Sequence, residues 1–69
     1  MNKAQELAAQ INEATVALFD PNHAGKPLRY WVAQAQEAMS HAEQINMSVE
    51  GMERVEYAFA AFKTQYEGL

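Results

Sequence analysis

Sixty-nine residues, 49% of them apolar, with a net charge of −4 and no cysteine, describe one small acidic domain spanning residues 1–69. The missing cysteine removes disulfides, thiolate metal sites and a thiol nucleophile together, and fits a reducing compartment. A chain of this size buries only about 60% of its unfolded surface, and its core contributes about 3–5 kcal/mol net, so well-matched helix packing or oligomerisation has to make up the rest.

The first segment, MNKAQELAAQINEATVALFD, alternates polar and apolar residues. It has no unbroken apolar core of the kind a signal peptide or a membrane span of about 18 residues needs, which leads to the expectation of a cytoplasmic chain with no membrane association. Asn2 followed by Gln5 has the form of a capping box, and Glu6 suits the positive end of a helix. Helix 1 is therefore expected over about 3–19. Its apolar face is Ala4, Leu7, Ala8, Ile11, Ala14, Thr15, Leu18 and Phe19, while Glu6, Glu13 and Asp20 recur every seventh residue on the opposite side.

Asp20-Pro21 ends that helix, because a residue before proline is pushed out of the α region. The connection PNHAGK follows, and Pro27 is read as the first residue inside helix 2, over about 27–45. Leu28, Trp31, Val32, Ala35, Ala38, Met39, Ala42 and Ile45 form its apolar face, small in the middle and large at the ends. Asn46 tolerates the left-handed position at a helix end, and Ser48 is a good N-cap for helix 3, over about 49–67. Met52, Val55, Phe59, Phe62, Tyr66 and Leu69 supply a bulky seam to complement the alanines of helix 2. Gly51 is a weak point near the start, and Gly68 is the stop over which Leu69 is expected to fold.

Short connections favour antiparallel neighbours. The expected fold is an all-α, up-down-up three-helix bundle, or an open three-helix unit completed by homodimerisation. Helix 2 is expected to be the middle layer on which Leu7, Ile11, Phe59 and Phe62 pack.

Chemistry-bearing constellations are sparse. Glu37 and His41 share a helix face at i and i+4, but a metal site needs at least three protein ligands as a rule, and neither HExxH nor a phosphate loop is present. No carboxylate sits on an apolar face, where burial would tune it for acid–base work. No enzyme activity, cofactor or metal is therefore expected. Residues 1–20, 21–47 and 48–69 carry −2, 0 and −2, so no segment offers the basic footprint that direct nucleic-acid binding requires.

What remains are surplus residues away from the seams. Tyr30, Gln34, Glu37 and His41 form a stripe on helix 2, and Tyr57 and Ala61 lie near Arg54 on helix 3. Tyrosine and arginine are enriched in protein interfaces, so these residues are the candidate interface of a self-associating module that binds another protein. The alternative is an acidic inhibitor that blocks a basic, nucleic-acid-binding site on a partner enzyme through Glu6, Glu13, Asp20, Glu50, Glu53 and Glu56. Length, acidity and composition suit a small accessory protein of the phage or plasmid type.

Overall fold

The computed structural model describes residues 2–69 and forms a three-helix bundle. Helix α1 spans Lys3–Ala17, α2 spans Leu28–Gln44 and α3 spans Val49–Glu67, with a tight turn at His23–Gly25, left-handed at Ala24 and Gly25, between the first two. Each helix begins where its capping chemistry places it. Asn2 accepts the Gln5 backbone N–H at 2.9 Å while the Gln5 side chain accepts the Asn2 N–H at 3.1 Å, completing the capping box. Ser48 accepts the Gly51 N–H at 3.2 Å. Pro27 is the extended residue just before α2 rather than its first helical one. Asn46 takes the left-handed conformation, φ 56°, that separates α2 from α3.

The direction of the chain is up-down-up. Trp31, early in α2, donates to the carbonyl of His23, which reaches Glu13 late in α1. Gln10, further back on α1, donates to the backbone carbonyl (2.9 Å) and side-chain oxygen (3.1 Å) of Gln34 further along α2, so the two helices run antiparallel. Ala4 lies beside Gly51, so α1 and α3 run the same way.

The central helix is α1, not α2. It packs extensively on both neighbours, whereas α2 and α3 touch each other far less. Its buried side chains Ala4, Leu7, Ala8, Ile11, Ala14, Ala17 and Leu18 cover a wide arc, as a helix with two partners requires. Against them lie Trp31, Ala35, Ala38 and Ala42 of α2, and Gly51, Val55, Ala58 and Phe62 of α3. Of the fourteen buried apolar side chains among the described residues, eight are alanine. Small side chains bring backbones close, and each contributes little burial.

This alanine core corrects several expected positions. Helix α3 is rotated so that Ala58 faces α1, while Phe59 and Met52 are only half-buried and Tyr66 and Leu69 are exposed. Leu69 makes no apolar lid, and Gly68 stays right-handed at φ −83°. Leu28, Ile45 and Phe19, assigned to core faces by periodicity, lie at 42, 41 and 62% exposure. Helix α1 ends at Ala17, so Phe19 lies beyond the last helical turn. Gly51 is a packing residue: a Cβ there would stand 2.7 Å from Met47 Cγ and Sδ and 3.3 Å from Ala4 Cβ.

Candidate functional site

The weak α2–α3 contact leaves a cleft of about 300 Å³ lined by Val32 and Gln36 on one wall and Phe59, Phe62, Lys63, Tyr66 and Glu67 on the other. Its floor is aromatic. Phe62 stacks on Phe59 with ring centroids 6.2 Å apart and on Tyr66 at 5.8 Å, the latter pair nearly parallel at 7°. Phe62 is anchored in the core, so the ladder climbs from a buried ring to one that is 44% exposed. Partly buried Val32, Met39, Met52 and Phe59 continue the apolar lining along both helices. Sequence periodicity assigns most of these residues to the core. The signal that distinguishes them is the second seam of α3, Gly51, Val55, Ala58 and Phe62 at steps of 4, 3 and 4, whose small members permit the closer approach to α1.

Of the candidate interface residues, Tyr30, Gln34, Glu37 and His41 border α1 on the side of α2 away from the cleft. Gln34 is already engaged by Gln10. Tyr30 packs edge-on against Trp31 at 4.9 Å and carries the Lys26 ammonium 5.1 Å above its ring. Glu37 and His41 are exposed. Arg54 borders a second cavity with Asn2, Lys3, Ser48 and Glu50, where α1 and α3 begin. Tyr57, at 81% exposure, and Ala61 stand free on α3. The two groups are not brought together, because α1 lies between their flanks.

The candidate acidic residues are likewise divided. Glu13 and Asp20 converge on His23, whose Nδ1 lies 3.0 Å from Asp20 Oδ2 and whose Nε2 lies 3.6 Å from Glu13 Oε1. His23 also tilts against Trp31 at 5.2 Å, and its carbonyl accepts the indole N–H at 3.2 Å. A residue that reads as a polar turn is thus the staple between the first connection, α1 and α2. Glu6 has no ion-pair partner among the described residues. On α3, Glu50, Glu53 and Glu56 are all exposed, but steps of three residues spread them over about 120° of the helix instead of one ridge.

Among the described residues no His, Asp and Glu side chains gather in a group that could hold a metal ion, and no helix is long and apolar enough to cross a membrane. Every buried side-chain nitrogen and oxygen among them has a hydrogen-bond partner. Of the surface hollows among the described residues, the α2–α3 cleft is the one lined by stacked aromatic rings. Comparison with protein-family models, curated proteins and solved structures finds no match to this chain.

Proposed function

We propose that the protein is a non-catalytic helical binding module whose α2–α3 cleft docks another protein chain. One observation carries this reading: Phe62, buried in the core, stacks on half-buried Phe59 and on Tyr66, which is 44% exposed, so an aromatic ladder opens from the core into a concave apolar cleft. Each large side chain fully removed from water contributes about 1.5–3 kcal/mol, so an association covering the cleft adds a substantial fraction of what the core supplies. Aromatic anchors in a concave apolar site flanked by charged residues are also the composition of interaction hot spots. Phe59 and Tyr66 are those anchors.

The test is site-specific photo-cross-linking in native cells. A cross-linking amino acid at Tyr66 is expected to capture a protein, with the adduct lost on Phe59→Asp while circular dichroism verifies the fold. The same probe at Tyr57, on the far side of α3, is expected to capture little. Equal capture at the two positions would sink the assignment of the cleft. The alternative of an acidic inhibitor of a basic site is the weaker one, because Glu13 and Asp20 are committed to His23. It predicts that charge reversal at Glu6, Glu50, Glu53 and Glu56 abolishes binding and its salt dependence.

A further inference from the structure

We infer that the cleft face is covered by a second copy of this chain, related by a two-fold axis that lies in the interface and crosses the cleft near Gln36 and Phe59. The inference rests on the cleft being a docking surface, and it adds the partner and the geometry.

The argument is one of charge register. On α2, Arg29, Gln36 and Glu43 are spaced by seven residues, which puts them on one strip of the helix about 10.5 Å apart. On α3, Glu56 and Lys63 are spaced by seven in the same way. Gln36 lines the same cleft as Phe59 and Lys63, and α2 runs antiparallel to α3. Arg29 therefore belongs to the Lys63 end of the cleft and Glu43 to the Glu56 end. One end carries Arg29 and Lys63 with Glu67, a net +1, and the other carries Glu43 and Glu56, a net −2. Among the described residues the only contacts between basic and acidic side chains within 4 Å are those of His23, so none of these charges has an ion-pair partner there.

An isologous interface places residue i against j and j against i. A two-fold axis through the middle of the cleft exchanges its ends, setting Arg29 against Glu43 of the other copy and Lys63 against Glu56 of the other copy. Both pairings need the same axis. Gln36 then meets its own symmetry mate, and Phe59 lies next to its mate in the apolar centre. The available surface is also of the right order. The molecule measures 34 × 22 × 18 Å, so its broad face approaches the area of about 800 Å² per partner that a standard interface uses.

Glu56 and Lys63 are exposed, so both can be reversed without disturbing the core. Sedimentation of the full chain from low micromolar to millimolar concentration is expected to show a monomer–dimer equilibrium. Lys63→Glu and Glu56→Lys are each expected to weaken it by about tenfold or more, and the double variant to restore it. A dimer indifferent to both reversals, or one weakened further in the double variant, overturns the axis. A monomer at every concentration overturns the second copy. If that monomer still cross-links through Tyr66 to a different protein, the docking cleft stands with another occupant. If it captures nothing there, both readings fall.

Discussion

The two sides of the bundle are built on opposite principles. Where α1 meets its neighbours, alanines and one glycine let backbones close together, and the few large residues, Ile11 and Val55 above all, are fully shielded. Where α2 meets α3, large side chains are plentiful and shielding is incomplete. Residue size and burial are therefore uncoupled in this molecule. A small residue on a seam sets how near a helix can come; a large one beside it is pushed to the flank and is left for something else to cover.

The contrast can be broken first at its extremes. Under conditions where the chain is monomeric, Ile11→Ala is expected to cost about 2–5 kcal/mol, enough to consume most of a small domain's stability. Tyr66→Ala, on the cleft wall of α3 and 44% exposed, is expected to cost about 1 kcal/mol. Urea denaturation of the two variants decides the matter, and comparable losses would mean that the cleft side is as closed as the α1 side.

Next comes overpacking. Ala38 is 1% exposed, so Ala38→Leu should destabilise by about 1–3 kcal/mol, whereas Glu37→Ala on the exposed side should stay within about 0.5 kcal/mol of the parent. Equal tolerance would reverse the facing assigned to α2.

A smaller effect tests the connection. Gly25 has φ +75°, and a methyl group added there would meet no atom within 4 Å, so Gly25→Ala isolates the backbone penalty, about 1–2 kcal/mol. Ala24 is strained in the same sense at φ 53°, so Ala24→Gly is expected to stabilise, by up to about 1 kcal/mol. Thermal melts of the two variants should move in opposite directions.

The smallest change is expected at Gly51. Alanine there gains about 1 kcal/mol of helix propensity and must displace the Met47 side chain, leaving a net effect within about 1 kcal/mol of zero. The full propensity gain would show that Met47 yields freely and that the start of α3 is only loosely held against α1.

Features set by nearest neighbours in sequence are legible from the residues alone. The Asn2–Gln5 capping box, the Ser48 cap and the left-handed Asn46 all depend on local chemistry and stand where local chemistry puts them. The seam of α1 is also legible, since its apolar arc is unbroken from Ala4 to Leu18. The rotation of α3 is not. Phe59 and Ala58 are adjacent positions on two overlapping seams, and periodicity cannot say which one a neighbouring helix selects. The cleft is hidden for the same reason, because Val32, Phe59 and Tyr66 satisfy the pattern of a core while lying beside it. His23 gives no signal, as its partners Glu13 and Trp31 are distant in sequence and meet it only through the fold.

The Trp31 site has an optical consequence. It holds the only indole in the chain, 7% exposed and hydrogen-bonded to the His23 carbonyl, at the junction of α1, α2 and their connection. Its emission is thus a local thermometer of that junction. It will shift to the red when α2 leaves α1, whatever α3 is doing. Two of the three tyrosines, Tyr57 and Tyr66, sit on α3, so once Tyr30 is replaced by phenylalanine the tyrosine signals follow the other half of the bundle. Recorded side by side on the unlabelled protein, the two chromophores distinguish a domain that melts as one unit from one that sheds its third helix first.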